Sequence, residues 1–129
     1  MTQGNALGSI GQISRQVRDI SAAVDWYRDV LGLPHLFTFG KLAFFDCGGV
    51  RLYLQEGQKE VGEPGDSTIY FRVDDIQAAH RLLSERGVTF LGAPHLIHRH
   101  ASGVEEWMGF FEDLDGKVLA LMSQVKPGT

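Results

Sequence analysis

Two histidines separated by one residue carry the most recognisable chemistry in the sequence. His98 and His100 would project from the same face of a strand, whereas His95 would project from the other, because side chains alternate along a strand. An imidazole titrates near neutral pH, so either ring is a candidate general acid or base, or a hydrogen-bonding group for a ligand. The pair is also a candidate metal site, which Glu105 or Glu106 would complete. The alternative is an edge strand whose polar side chains face solvent.

Three predicted strands each carry polar residues at alternate positions. Because a buried polar group without a partner costs about 1–3 kcal/mol, such rows would not face a packed core. They favour either a solvent-exposed sheet face or a cavity that binds a small organic molecule, and the aromatic residues nearby favour the cavity. The rows are Gln12, Ser14 and Gln16; Arg51, Tyr53 and Gln55; and Thr68, Tyr70 and Arg72.

Cys47 is the only cysteine of the chain, which excludes a disulfide within it and a zinc site made of cysteines, and it suits a reducing compartment. It precedes two glycines in a predicted turn, where no base or positive field is evident to activate its thiol. We therefore expect no catalytic role for Cys47. His35, at a strand start, is interpreted as structural, and His80 as a solvated position on the second helix.

Both halves of the sequence predict a strand, a helix and three further strands. In the first half, residues 10–17 alternate with a period of two, Asp19 stands at the N-cap of a helix, and Gly32 ends that helix. In the second half, residues 68–73 form a strand and Asp75 caps the helix. The other predicted strands are 37–39, 42–46 and 51–55 in the first half, and 89–91 with 96–100, 107–112 and 118–123 in the second.

The two halves also resemble each other in sequence, as a duplication would produce. The segment VRDISAA at 17–23 matches VDDIQAA at 73–79. We predict one domain over residues 1–129, because neither half of about 55 residues would bury enough surface alone. Its parts are a first module at 8–55, a hydrophilic connector at 56–67 and a second module at 68–124.

Composition narrows the class of protein. The 129 residues include 12 Lys and Arg against 16 Asp and Glu, so the net charge of −4 argues against a protein that neutralises nucleic-acid phosphates. No apolar run approaches the roughly 20 residues that span a bilayer. The first nine residues lack the features of a signal peptide, so a cytoplasmic protein without a membrane partner is expected.

Two motifs make the sequence resemble a known superfamily. They are WYRDVLGL at 26–33, which follows VRDI at 17–20, and EDLDGKVLAL at 112–121. Together with the tandem βαβββ modules, they resemble the vicinal oxygen chelate superfamily over about residues 8–124. That superfamily includes glyoxalase I, extradiol dioxygenases, methylmalonyl-CoA epimerase, and the fosfomycin and bleomycin resistance proteins. The resemblance implies an α+β fold whose modules form a curled, half-open barrel-like sheet around a ligand cavity, and a homodimer.

The resemblance also indicates where a metal would be held. Metal-dependent members bind a divalent ion with side chains at the positions that correspond to Gln12, Tyr53, Thr68 and Ala120. Only Gln12 is an ordinary ligand among them, because a phenol stays protonated at neutral pH, a threonine hydroxyl is a weak donor and alanine has no donor atom. We therefore predict no metal at this position, while a divalent ion held by displaced ligands stays open.

The sequence thus predicts an α+β protein that binds a small organic molecule in a sheet cavity. The expected polar anchors are Gln12, Tyr53, Thr68 and Arg72, with Arg72 as the partner of an anion or, alternatively, of Asp74. The expected walls are Trp107, Phe111 and Ala120. The alternative is a lyase, isomerase or dioxygenase, either metal-dependent through displaced ligands or metal-free with a histidine general base.

Overall fold

A computed structural model describes residues 6, 9–57 and 67–126. The chain divides into two compact units, Met1–Lys59 and Glu60–Thr129. Most of the predicted leader and most of the predicted connector, at 58–66, lie outside the described residues. Glu56 ends a strand and does not belong to the connector, and the backbone N–H of Gly57 still donates to the carbonyl of Val17 at 3.1 Å.

The first unit is a βαβββ module with a four-stranded sheet. The strands lie in the order β1-β4-β3-β2, with β1 parallel to β4 and the other neighbours antiparallel. A π-helical turn directly continues the helix, so the helical segment ends at Val30, two residues before the predicted helix-ending Gly32. The elements are β1 Gln12–Val17, α1 Ile20–Asp25, the π-helical turn Trp26–Val30, β2 His35–Phe39, β3 Leu42–Cys47 and β4 Val50–Glu56.

One face of this first sheet packs against the helix and forms a core. Val17, Phe45 and Leu54 are almost fully buried there, and the centre of the Tyr27 ring lies 6.1 Å from that of Phe45. Arg15 projects from β1 on this same side and is also buried, which the alternating pattern did not predict. The opposite face of the sheet carries no helix of its own unit, so its side chains are available for other contacts.

The second unit repeats the module with one strand interrupted. Its sheet has the order β5-β9-β8, and both β6 and β7 pair with β8, along different parts of its length. The predicted edge strand is therefore broken into two pieces, with Pro94 packed against Gly109 of β8 at the break. The elements are β5 Ile69–Arg72, α2 Ile76–Glu85, β6 Thr89–Phe90, β7 His95–Arg99, β8 Glu105–Glu112 and β9 Val118–Val125.

The core of the second unit also lies between its sheet and its helix. Phe111 and Leu119 are fully buried, and Leu83 of α2 is nearly so. The Phe90 ring lies between those of His80 and Phe111, with ring centres 4.4 and 5.2 Å away. His80 thus contacts an aromatic residue of the core edge in addition to solvent. The predicted α+β class and the two βαβββ modules are confirmed.

Both predicted helix caps are present. The carboxylate of Asp19 accepts a hydrogen bond from the backbone N–H of Ala22 at 3.1 Å, and that of Asp75 accepts one from Ala78 at 3.0 Å. Each bond satisfies one of the backbone donors that the first turn of a helix leaves without a partner. The caps fix where each helix starts after its preceding strand.

We predict that Asp75→Ala lowers the free energy of unfolding by about 1 kcal/mol, because α2 loses the acceptor for its first turn. Urea denaturation of the full chain measures this difference. Glu85→Ala, at an exposed position in the last turn of the same helix, is the matched control and should change stability by less than about 0.5 kcal/mol. Equal effects of the two substitutions would contradict the capping role.

Candidate functional site

Three aromatic side chains stack on the face of the first sheet that points away from its helix. The strand register pairs Phe37 with Phe44 and Phe44 with Tyr53. The ring centres are 4.5 Å apart in the first pair and 4.9 Å apart in the second, with angles of 28° and 5° between the ring planes. We call Phe37, Phe44 and Tyr53 the aromatic ladder. It forms a continuous apolar surface across three strands.

A guanidinium lies beside the ladder. Arg51 Nε donates a hydrogen bond to Gln12 Oε1 at 2.9 Å, and its guanidinium carbon lies 5.0 Å from the centre of the Phe44 ring. Its Nη groups make no hydrogen bond to any of the described residues, so they can still donate to an anion. The Tyr53 hydroxyl donates to Gln55 Oε1 over a long 3.5 Å. The predicted residues Gln12 and Tyr53 therefore share one surface.

Sequence reasoning missed the two phenylalanines of the ladder and the position of Arg51 against them. The sequence did contain a signal for the position of Phe44. The tight turn at Gly48 and Gly49 sets Cys47 opposite Val50, and this pair fixes the register of all the other residue pairs in the hairpin. Counting back from that turn places Phe44 opposite Tyr53.

The face of the second sheet away from its helix carries another group of predicted residues. Tyr70 on β5 and Phe110 on β8 flank Ala120 on β9, with their ring centres 6.0 Å apart. Ala120 is fully buried, whereas Tyr70 is 44% exposed. Thr68 immediately precedes β5 and is half-buried, and Arg72 lies further along the same row.

The predicted walls Trp107 and Phe111 lie on the opposite, helix-facing side of that sheet. Phe111 is fully buried against Phe90, so it is a core residue and cannot contact a ligand beside Tyr70 without rearrangement of the core. The indole N–H of Trp107 donates to Glu105 Oε1 at 2.9 Å. The structure therefore separates Trp107 and Phe111 from the predicted polar anchors of the second unit.

Arg72 borders a shallow cavity of about 180 Å³ at the end of β5 and β9. Among the described residues, no carboxylate forms an ion pair with its guanidinium within 4.0 Å, so the alternative pairing with Asp74 is absent there. The residues that line this cavity are Arg72, Val73, Asp74, Met122, Ser123, Gln124 and Lys126.

His95 and His98 of β7, and His100 just after the end of that strand, lie on one side of the sheet. His95 pairs with Met108 and His98 with Glu106, and these two partners are two residues apart on β8. The prediction that His95 projects from the opposite side is therefore wrong, because a bulge between Leu96 and His98 inserts one extra residue and reverses the alternation.

A histidine–carboxylate pair is present at this position. His100 Nε2 and Glu106 Oε2 are 2.8 Å apart, and Gln124 Nε2 donates to the same oxygen at 2.8 Å. The centres of the His98 and His100 rings lie 4.7 Å apart. The pKa of Glu106 is below its ordinary range, first because of the bonds from His100 and Gln124 and further because of the charges of His100 and Arg72. Glu106 is thus held as a carboxylate that orients the His100 ring.

Cys47 is half-buried at the end of β3. Burial raises the pKa of its thiol, and the neighbouring carboxylate of Asp46 raises it further. A raised pKa lowers the thiolate fraction at neutral pH, so the environment is the reverse of that which activates a nucleophilic cysteine.

The residues at the superfamily's metal-ligand positions do not fit a divalent ion. The Gln12 oxygen already accepts from the Arg51 guanidinium, whose positive charge would repel a cation, and Ala120 has no donor atom. Within the described residues, no group of three or more His, Cys, Asp or Glu side chains is arranged to hold a metal elsewhere.

The strand order and the two helices define a protein of two βαβββ modules. The family model of the Glyoxalase/Bleomycin resistance protein/Dioxygenase superfamily matches residues 9–121. The chain therefore belongs to this superfamily. Among curated proteins, none shows significant sequence similarity to it. In the described part of the chain, no helix is long and apolar enough to cross a membrane.

Solved structures share the fold at low sequence identity. Lactoylglutathione lyase from Agrobacterium tumefaciens is 21% identical, with a TM-score of 0.68 over 92% of this chain and 96% of its own. A glyoxalase/bleomycin resistance protein/dioxygenase from Alicyclobacillus acidocaldarius is 17% identical, with a TM-score of 0.72 over 89% and 90%. A glyoxalase-related enzyme from Fulvimarina pelagi is 16% identical, with a TM-score of 0.71 over 91% and 88%. At these identities the similarity establishes the fold alone.

We predict that the contribution of Glu106 to stability depends on pH. Because its pKa in the folded protein is lowered from the ordinary 4.5, its contribution is present above pH 4.5 and is lost as the pH falls through the lower folded-state value. Urea unfolding of the wild type and Glu106→Gln between pH 7 and pH 3 should show a stability difference that shrinks below pH 4.5. A difference that stays constant over this range would contradict the interaction with His100 and Gln124.

Proposed function

We propose that the protein binds a small organic molecule on the helix-free face of its first sheet, without the metal ion of its superfamily. The observation that carries this proposal is the aromatic ladder with a guanidinium beside it. Such a combination of an apolar surface with few, well-placed polar groups is typical of small-molecule sites.

The exposure of the ladder supports this proposal. Phe37 is 47% exposed, although burying an aromatic side chain is among the larger favourable terms available to a fold. A ligand that covers the ladder would remove this apolar area from water. It would also find hydrogen-bond donors and acceptors at the edge of the ladder, from Arg51, Gln12 and Gln55.

The contact between Arg51 and Gln12 also supports ligand binding without a metal ion. A divalent ion at Gln12 would have to share the amide oxygen with Arg51 Nε and would stand next to a permanent positive charge. An anionic or polar organic group gains from that charge instead.

The residues Thr68 and Arg72 of the second unit stay predicted anchors of a ligand. We also propose a cytoplasmic homodimer, in line with the resemblance to a superfamily in which dimers are common.

We expect compounds from a chemically diverse fragment set to perturb the backbone amide signals of β1, β3 and β4 in ¹⁵N-labelled protein, with the same affinity in EDTA as with added Mn²⁺, Ni²⁺ or Zn²⁺. Arg51→Gln should weaken the binding of acidic fragments about tenfold or more, because a charged hydrogen bond is lost. Arg81→Gln, at an exposed position on α2, is the matched control. Absence of saturable binding, or binding that requires a metal, would contradict the proposal.

A second candidate function is a metal-free enzyme with a histidine base, and the His100–Glu106 pair favours it. If His100 Nε2 carries the proton donated to Glu106, Nδ1 is left to accept a proton from a substrate, as in other carboxylate-oriented histidines. The reaction would be a proton abstraction or transfer of the lyase or isomerase type.

The two functions differ in whether a bound compound is changed. The binding proposal predicts that a fragment recovered from the protein after long incubation is chemically unaltered, as followed by NMR of the compound. Turnover in EDTA that falls about 100-fold or more in His100→Gln, with unchanged binding, would establish the enzyme instead. His80→Gln is the control for an unrelated histidine.

A further inference from the structure

The ring of Tyr53 is stacked by Phe44 on one side, and the next strand on its other side is β1. The register between β1 and β4 places Ser14 directly opposite Tyr53. We infer that the space above Ser14, beside the Tyr53 ring, binds the planar ring of an aromatic anion. We call this space the Ser14 slot. The inference rests on the proposed function and specifies its ligand class.

The spacing of the ladder leads to this slot. The rings of Phe37, Phe44 and Tyr53 repeat at 4.5 and 4.9 Å, which is the distance between neighbouring strands. A fourth ring in the same series would stand above β1. Ser14 has a short, exposed side chain there, so no side chain of β1 occupies that level. A planar ligand would therefore continue a stack that the protein leaves one ring short.

The ends of the slot are polar. Gln12 and Gln16 flank Ser14 on the same face of β1. Their Cα atoms are about 13 Å apart, which leaves room for one or two fused rings between them. The Gln16 carboxamide lies against Gly57, where a Cβ atom would approach its oxygen to 2.8 Å. Gln12 at the other end is held by Arg51.

The charge on this face favours an anion. Arg51 stands at the Gln12 end of the slot, and its Nη groups make no hydrogen bond to the described residues, so a carboxylate on the ring can accept from them. Asp46 is the acidic residue on the same face of the described sheet, and its Oδ1 atom accepts from the backbone N–H of Gly49 in the adjacent turn. Asp46 pairs with Arg51 across β3 and β4, so it lies one strand further from the Ser14 slot than Arg51 does. A carboxylate in the slot would therefore lie nearer to the guanidinium than to Asp46.

The probe is 2-naphthoate, compared with two compounds that each lack one feature. Decahydro-2-naphthoate keeps the carboxylate without the aromatic ring, and 2-naphthylmethylammonium keeps the ring with the opposite charge. Titration of the full ¹⁵N-labelled chain should show 2-naphthoate binding at least tenfold more tightly than both, with the largest shifts at the amides of Ser14 and Tyr53. Equal affinity of either comparison compound would overturn the inference.

Variants test the location. Ser14→Leu fills the slot while keeping the ladder and Arg51, and it should weaken 2-naphthoate binding tenfold or more. Ser21→Leu makes the same change at an exposed position of α1 and should leave the affinity unchanged. Tyr53→Leu, which removes the stacking surface, should also lose the preference for the aromatic over the saturated carboxylate. Circular dichroism of each variant verifies that it is folded.

The failure of this inference can be told apart from the failure of the proposed function. If other fragments bind the face in a saturable way but 2-naphthoate does not exceed its comparison compounds, the ligand class is wrong and the proposed function stands. If Ser14→Leu binds 2-naphthoate as the wild type does, the slot is wrong. If neither the probes nor the diverse fragments bind, both are wrong.

Discussion

The hydrogen bond from Arg51 Nε to Gln12 Oε1 is the interaction on which the proposed chemistry of the first sheet depends. It joins two residues 39 positions apart, because the parallel pairing of β1 with β4 places them side by side. The bond engages the one residue that could have served as an ordinary metal ligand. It also fixes a permanent cation next to the aromatic ladder.

This hydrogen bond changes which ligands the superfamily's fold can bind at Gln12. A divalent ion requires several oxygen or nitrogen donors and a region of negative or neutral potential. Gln12 instead faces a guanidinium, and Ala120 provides no donor atom. The same guanidinium is well suited to a carboxylate, and the rings beside it are suited to a planar apolar group. We therefore propose an organic anion as the ligand at the position where metal-dependent members of the superfamily hold a cation.

The second unit carries different chemistry on an equivalent module. Its helix-free face holds a histidine–carboxylate pair in place of the aromatic ladder, because β7 is bulged and brings His95, His98 and His100 to one side. Duplicated modules thus share strand order and helix caps, while their exposed rows of side chains have diverged. Function within this fold is set by those rows and not by the core.

Much of the fold could be predicted from the sequence, because it depends on local signals. The caps at Asp19 and Asp75, the breaking glycine at position 32 and the alternating rows each act within a few residues. The separation of polar and apolar faces on β1 was also predictable, apart from the burial of Arg15. These features need no knowledge of which strands meet.

The site was less predictable, because it depends on pairing between strands. The ladder exists only in the register that sets Phe44 opposite Tyr53, and the side of His95 was misjudged because one bulged residue reverses the alternation. Phe111 resembles a cavity wall by residue type, but its position on β8 directs it into the core below α2. Residue type alone could not distinguish these outcomes.

Whether a divalent cation can bind at Gln12 is tested most directly with paramagnetic Mn²⁺. This ion broadens the NMR signals of nuclei close to where it binds. We expect the side-chain amide signals of Gln12 and Gln55 to keep their intensity at stoichiometric Mn²⁺, since the Arg51 charge repels the ion. Selective loss of the Gln12 signal, reversed by EDTA, would show that a cation binds there and would contradict the account.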